Sequence, residues 1–125
     1  MTYKERYIQR ELEDNSLNVI FNCSIINNDF FLFDYILKQN INVNYKNKYN
    51  NTALCIACDK NNLQMVQKLL KVPNIDINKS GAFNNTPLYI ACFNRNIDII
   101  KTLLDHPNIN INIGIEKDSG IYSIL

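Results

Sequence analysis

The sequence predicts an all-α domain, in which helix-turn-helix repeats stack into a solenoid and hairpin-like loops connect them. The first observation is an internal repeat: shifted by 34 positions, residues 86–112 and residues 52–78 are identical at thirteen of 27 positions. The second is a helical spacing of apolar residues inside each copy. Units of this length bury their apolar faces only against their neighbours, so the repeat indicates a linear array whose function lies on a shared surface.

Composition limits the class of protein. The chain has 125 residues, of which 46% are hydrophobic and 20% charged, as expected for one folded domain. A formal charge of +1 provides no overall field for nucleic acid, so we do not expect nucleic acid as a partner. The amino terminus is charged where a signal peptide is apolar, and no run of residues suits a membrane span, so we expect an intracellular, cytoplasmic location. Asparagine is frequent, which we attribute to an AT-rich genome and not to a mechanism.

The expected organisation is one repeat domain with distinct ends. Its parts are an N-terminal capping helix (1–15), a degenerate repeat (16–45), two full repeats (46–79 and 80–113) and a tail or truncated repeat (114–125). The capping helix carries an apolar stripe, and we expect it to cover Phe31 and Tyr35, aromatic residues at positions that are polar in the next copy. A separate partner-binding helix is the alternative for this segment.

Each copy contains a helix with one apolar face. Apolar residues recur at spacings of three and four, which places them on the same side of a helix. They are Phe30, Leu32, Phe33, Ile36 and Leu37, then Leu63, Met65, Val66, Leu69 and Leu70, then Ile97, Ile99, Ile100, Leu103 and Leu104. In the third copy we expect Ile90, Ile97 and Leu104 to lack a covering neighbour. Residues 123–125 match the start of a further copy, which favours a fragment of a longer array over a natural terminus.

A shorter helix precedes this one in both full copies, over residues 53–59 and 87–93. Thr86 suits the N-cap of the later helix and Pro87 its first turn. After the second helix comes Pro-Asn, and we expect Asn74 and Asn108 to adopt the left-handed conformation. The alternating residues 75–78 predict short extended arms that lead into finger-like loops.

These residues resemble the ankyrin repeat. Residues 86–91, TPLYIA, and residues 52–57, TALCIA, are similar to its TPLHxA signature, whose period is about 33 residues. The Leu-Leu pair and the closing IDIN are also similar, and the resemblance covers residues 16–112. Two departures predict lower stability with the fold retained: Cys55 and Tyr89 replace the signature histidine, whose turn hydrogen bond is then lost or replaced, and Asn61 and Arg95 replace the glycine between the helices.

The cysteines raise the question of zinc or redox chemistry. Cys55-x-x-Cys58 together with Cys92 and His106 makes a nominal set of four zinc ligands. Cys58 and Cys92, however, occupy the same place in successive copies, so one helix-packing distance of about 8 to 10 Å separates them, which is too far for a disulfide. We therefore expect both cysteines to be small buried hydrophobes, and no metal or other cofactor.

Catalysis is not expected. The single histidine has no nucleophile placed beside it by a recognisable motif. The three glycines do not form a phosphate-binding loop. The sequence therefore predicts a protein that is not an enzyme.

The resemblance implies a protein-interaction module that binds a partner protein through its concave face and loop tips. Carried onto this sequence, the partner-binding residues are Lys48, Tyr49, Asn51, Asp59, Lys60, Ala82, Phe83, Asn85, Phe93 and Asn94, with Ile26 and Asn27 as the equivalents in the first copy. The aromatic side chains would supply large contact areas. Tyr49 and Phe83 have an alternative, since they occupy corresponding places and would then pack finger against finger. Phe93 has Asp59 as its counterpart, so the scaffold does not require an apolar group there.

Three interpretations of function remain open at this stage. The chain is an adaptor, either a monomer or part of a longer array, that binds one protein. Alternatively, it is the targeting part of a larger enzyme or secreted effector. The third interpretation is a structural spacer with no ligand. The partner's identity does not follow from the sequence.

Overall fold

Between residues 17 and 112 the chain forms six α-helices in two layers. The computed structural model describes residues 2–3, 5–6 and 17–112. The helices are α1 (Leu17–Ile26), α2 (Phe30–Leu37), α3 (Ala53–Asp59), α4 (Leu63–Leu70), α5 (Pro87–Phe93) and α6 (Ile97–Leu104). Helices α1, α3 and α5 pack side by side, while α2, α4 and α6 each pack on the partner helix of their own copy. Within residues 17–112 there is no strand, which confirms the all-α solenoid.

Threonine side chains fix where α3 and α5 begin. The Oγ1 atoms of Thr52 and Thr86 accept hydrogen bonds from the main-chain N–H groups of Cys55 and Tyr89, at 3.1 and 3.2 Å. Pro87 is the first residue of α5, where its missing N–H costs nothing. Both helices span the predicted residues, so the prediction from the Thr-Pro sequence is confirmed.

The turn inside each helical pair requires one residue in the left-handed conformation. Asn28, Asn61 and Arg95 have φ angles of 55°, 54° and 57°. Asparagine adopts this conformation more readily than most non-glycine residues. Arginine has no such preference, so the conformation is less favourable at Arg95. The family glycine is thus replaced at a backbone position that still has the geometry glycine favours.

The prediction that Asn74 and Asn108 adopt the left-handed conformation is wrong. Neither residue has a positive φ angle. The main-chain N–H of Ile75 bonds to the Val72 carbonyl at 3.1 Å, which closes a turn across Pro73 and Asn74. Proline suits the second position of such a turn, and the third residue has a negative φ angle when the turn is of type I.

The apolar faces of the second helices form the core, as predicted. Side chains at the centre of each stripe are buried: Phe33 and Ile36, then Met65, Val66 and Leu69, then Ile99 and Leu103. In the first copy the Phe33 ring stacks on Phe21 of α1, with 4.8 Å between the centroids. The outer face of the third copy differs, because Ile97 is 58% exposed and Leu104 43% exposed, while Ile90 is half-buried. The expected lack of a cover on that face is therefore confirmed for Ile97 and Leu104.

The aromatic stripe of α2 has no cover among the described residues. Both Phe31 and Tyr35 are exposed. At the amino terminus, Thr2 and Glu5 form a reciprocal pair: the Glu5 N–H donates to Thr2 Oγ1 at 3.1 Å and the Thr2 N–H to Glu5 Oε2 at 2.8 Å. This pair is a capping box and is consistent with the start of the predicted helix. The rest of that helix, from residue 7 to residue 16, lies outside the described residues.

Asparagine side chains connect each copy to the next. Asn44 Nδ2 donates to the Asn74 carbonyl at 2.8 Å, and Asn44 Oδ1 accepts from the Asp76 N–H at 2.8 Å. One period later, Asn78 makes the same two bonds to the third copy, at 2.8 and 2.9 Å. We call this arrangement the asparagine clamp. The interpretation of asparagine as a mere compositional bias is therefore wrong at these positions.

The connectors between copies are turns and not the extended arms expected from their alternation. In the second copy the alternation marks burial instead: Ile75 and Ile77 are buried, whereas Asp76 is exposed. The two isoleucines belong to the core cluster. Alternation in a short connector thus reports which side chains face the neighbouring copy, even though no strand forms.

Candidate functional site

The loop before α3 is held closed by one asparagine. The Asn47 N–H donates to the Asn51 carbonyl at 3.0 Å. The Oδ1 atom of Asn47 accepts from the N–H groups of Tyr49 and Asn51 at 2.9 and 3.0 Å. Asn50 completes the turn with a φ of 65°. Residues 47–51 therefore form a compact projection, which we call the first finger.

The second finger comprises residues 81–85 and precedes α5. It is closed by a bond of 2.8 Å from the Gly81 N–H to the Asn85 carbonyl. Phe83 lies at its tip in a left-handed conformation, with φ 58° and ψ 19°. A phenylalanine in this region costs roughly 1 to 2 kcal/mol, so the backbone conformation is imposed by its surroundings.

Glycine at position 81 allows the two fingers to approach each other. A Cβ atom there would lie 2.9 Å from Asn51 Oδ1 and 3.0 Å from Cys55 Sγ. Because Gly81 leaves this space, Asn51 Oδ1 can accept a 3.0 Å bond from the Ala82 N–H. Asn51 was expected to contact a partner, and its amide oxygen instead connects the fingers.

Cys55 replaces the signature histidine as a donor to the second finger. Its Sγ lies 3.6 Å from the Lys79 carbonyl and 3.8 Å from the Asn85 carbonyl. Thiols are weak donors, so these bonds add less than those of an imidazole would. The departure from the family signature is therefore compensated in part at this position.

A groove lies between the fingers and the first helices. Its volume is about 370 Å³. The residues lining it are Ile26, Asn47, Tyr49, Asn51, Cys55, Ile56, Asp59, Lys60, Ala82, Phe83, Asn85 and Ile90. They come from α1, both fingers, α3 and α5, so the groove runs across all three copies.

Seven of the ten predicted partner-binding residues line this groove. They are Tyr49, Asn51, Asp59, Lys60, Ala82, Phe83 and Asn85. Of the other three, Lys48 and Asn94 contact residues that line it: Lys48 Nζ is 5.2 Å from the centre of the Tyr49 ring, and Asn94 Nδ2 donates to Asp59 Oδ1 at 3.3 Å. Phe93 stacks on Tyr89, which does not line the groove. Tyr49 is 67% exposed and Phe83 91% exposed, which does not support packing of one finger aromatic against the other.

Sequence reasoning missed four residues of the groove. They are Asn47, Cys55, Ile56 and Ile90. Ile90 was expected to lack a covering neighbour, but neither Ile56 nor Ile90 was assigned to the partner-binding surface, and both line the groove. The available signal was their position one helical turn before Lys60 and Asn94, which are on the predicted surface.

Cys55, Cys58 and Cys92 are protonated and buried. Burial raises the pKa of the Cys58 thiol well above its ordinary value, and it also raises the pKa values of Cys55 and Cys92. Neutral thiols are poor nucleophiles and poor metal ligands. No group of three or more His, Cys, Asp or Glu side chains among the described residues is arranged to hold a metal ion. The expectation that Cys58 and Cys92 are buried hydrophobes is confirmed.

Comparison with protein families identifies the repeat. The family model described as ankyrin repeats (3 copies) matches residues 13–115, a range that contains all six helices, both fingers and the groove. The chain belongs to the ankyrin repeat family. No curated protein sequence matches the chain significantly. Ankyrin repeats are generally protein-interaction modules without catalytic activity. In the described part of this ankyrin chain, no helix is long and apolar enough to cross a membrane.

Proposed function

We propose that this ankyrin domain binds a segment of another protein along the groove between its two fingers and its first helices, without catalysing a reaction. The observation that supports this most is the exposure of Phe83 at the tip of the second finger. The domain maintains a large apolar side chain in water and in a left-handed conformation at the same residue. Both features cost free energy in the unbound protein, and a contact with a partner would offset them.

The composition of the groove also supports recognition of a polypeptide. Tyr49 and Phe83 stand on opposite fingers, and aromatic residues of this kind supply much of the binding energy in protein interfaces. The fingers are held by the bonds of Asn47 and Gly81 described above, so the rings are presented on a rigid scaffold. Preorganisation reduces the entropy that binding must overcome.

Nothing in the groove supports a chemical step. Its thiol, Cys55, has a pKa raised by burial. The carboxylate of Asp59 accepts a hydrogen bond from Asn94 and is exposed at the end of α3. A nucleophile requires a base within hydrogen-bonding distance, and neither side chain has one among the described residues.

The experiment compares aromatic residues inside and outside the groove. Peptides are selected from a displayed random library against the full chain, and their affinities are then measured for Tyr49→Ser/Phe83→Ser and for Phe31→Ser. Phe31 is an exposed phenylalanine on α2, away from the groove, so it is a matched control. We expect the double variant to lose about tenfold or more in affinity, and the control to keep wild-type affinity.

Amide chemical shifts of the wild-type protein with bound peptide locate the contact. We expect shifts at residues 47–51, 56–60 and 81–85, and circular dichroism should show that both variants remain folded. Peptides that bind equally well to the double variant, with shifts confined to the second helices, would show that the groove is not the binding site.

A further inference from the structure

We propose that the groove selects an acidic segment that carries an apolar side chain between its carboxylates. This inference rests on the proposed function and names the chemistry of the partner. It follows from the distribution of charge around the groove, which differs from the distribution on the second helices. The overall charge of +1 conceals this difference.

Three lysines surround the groove. Lys60 lines it directly, and Lys48 lies over the ring of Tyr49, which also lines it. Lys46 is close enough to Cys55 to lower the pKa of that thiol slightly, although burial outweighs this effect and the net shift is upward. Among the described residues that line the groove, Asp59 carries the one carboxylate. The groove therefore carries an excess of positive charge.

None of these lysines is neutralised by the described part of the protein. Lys46, Lys48 and Lys60 form no ion pair with another described residue. On the second helices the situation is different, since Lys68 Nζ of α4 lies 2.7 Å from Asp34 Oδ1 of α2. On the second helices Lys68 is thus paired with Asp34, and the exposed Lys101 of α6 lies outside the groove, whereas the three lysines around the groove have no ion pair among the described residues.

The carboxylate of Asp59 already has a hydrogen-bond partner. Asp59 Oδ1 accepts a hydrogen bond from Asn94 Nδ2 at 3.3 Å, which directs this oxygen toward the third copy. Lys60 is adjacent to Asp59 in the chain, but no ion pair joins them. The positive charge around the groove is therefore offset by one carboxylate, one of whose oxygens already accepts a hydrogen bond.

The groove also contains apolar surface. Ile26, Ile56 and Ile90 line it, and Phe83 and Tyr49 stand on its two sides. A volume of about 370 Å³ accommodates one or two large apolar side chains. Neither a purely acidic chain nor a nucleic-acid backbone would fill this apolar part. An acidic segment with a leucine or phenylalanine among its carboxylates satisfies both the charge and the apolar surface.

The test uses three labelled probes and the full chain. The acidic peptide is Glu-Glu-Leu-Phe-Glu-Glu, its counterpart is Lys-Lys-Leu-Phe-Lys-Lys, and an oligothymidine represents a nucleic acid. Binding is measured by fluorescence anisotropy at low and at physiological salt. We expect the acidic peptide to bind about tenfold or more tightly than the basic one, and its affinity to fall as salt screens the lysines.

Charge reversal locates the effect. We expect Lys48→Glu/Lys60→Glu to reduce affinity for the acidic peptide by about tenfold or more. The control is Lys101→Glu, an exposed lysine on α6 that lies outside the groove. This control is expected to change the affinity by less than about twofold, since exposed charges beyond the Debye length are screened.

The outcomes separate this inference from the proposed function. Equal binding of the acidic and basic peptides, lost in Tyr49→Ser/Phe83→Ser, would overturn the acidic preference and leave the groove as a binding site. If oligothymidine binds more tightly than the acidic peptide, and loses its affinity in Lys48→Glu/Lys60→Glu, the acidic preference is overturned in favour of nucleic acid. Acidic binding that survives the aromatic variant but not the charge reversal would support the preference and count against the proposed aromatic contacts.

Discussion

The second and third copies end in the same two residues, yet these residues have different surroundings. Ile77 and Asn78 close the second copy, and Ile111 and Asn112 close the third, 34 positions later. Ile77 is 1% exposed, whereas Ile111 is 47% exposed. Asn78 clamps the main chain of the next copy through two hydrogen bonds, while within residues 17–112 the side chain of Asn112 has no such turn to bind.

The turn at the end of a copy depends on that copy alone, whereas the burial of its isoleucine depends on the next copy. The local geometry is the same in both copies, because the Asn78 N–H bonds to Asp76 Oδ1 at 3.1 Å and the Asn112 N–H to Asn110 Oδ1 at 3.0 Å. The turn therefore forms from its own sequence. Burial of the isoleucine and use of the asparagine amide require the next copy, which is how a repeat array couples its units.

The largest difference is expected for the isoleucines. Replacing Ile77 by alanine removes a fully buried side chain and leaves a cavity, which costs about 2 to 5 kcal/mol in the free energy of unfolding. The same change at Ile111 is expected to cost less than about 1 kcal/mol, because the side chain is already half in water. Urea denaturation of both variants measures the difference. Similar losses at the two positions would show that Ile111 is covered in solution.

The asparagine clamp gives the next difference. Asn78→Ala removes two hydrogen bonds and leaves the Asn108 carbonyl and the Asn110 N–H without them, so we expect a loss of about 1 to 3 kcal/mol. Asn112→Ala is expected to change stability by no more than about 0.5 kcal/mol. Thermal unfolding followed by circular dichroism compares the two. A large loss at Asn112 would contradict the contrast between the copies.

The smallest expected effect is at Arg95, and it is a gain in stability instead of a loss. Arg95→Gly relieves a left-handed arginine, but glycine also loses more backbone entropy on folding, so we expect a net gain of about 0.5 to 1 kcal/mol. Asn61→Gly at the matching turn of the second copy should gain only a few tenths of a kcal/mol, because asparagine tolerates this conformation. Urea midpoints of both variants provide the measurement, and a loss of stability in Arg95→Gly would show that the arginine side chain makes a compensating contact.

The helices could be predicted from the sequence because their signals are local. Thr86 and Pro87 mark the start of α5, and the apolar spacing in residues 97–104 marks the face of α6. The asparagine clamp could not be predicted in the same way. Asn44 and Asn78 bind main-chain groups 30 and 32 residues away, and a polar residue in a connector gives no sign of such a distant partner.

The sequence predicted the finger residues that line the groove, but not the isoleucines of the first helices that line it as well. Exposed finger residues such as Tyr49 and Phe83 follow from the resemblance to ankyrin repeats. Ile56 is an apolar residue in a helix, and periodicity assigns such a residue to the core. That it lines the groove together with the half-buried Ile90 depends on how the helices and fingers of different copies are arranged, which a local pattern does not report.

One hydrogen bond in the first copy affects how separate molecules can associate. The Asn42 N–H corresponds to the group that a clamp asparagine would bind from a preceding copy, and Asn18 Oδ1 already accepts from it at 3.1 Å. A second molecule could bring its own Asn112 to this site only by displacing Asn18. Head-to-tail contacts that do not close into a ring grow into filaments, and any such contact at the Asn42 N–H would have to compete with Asn18 of the same chain.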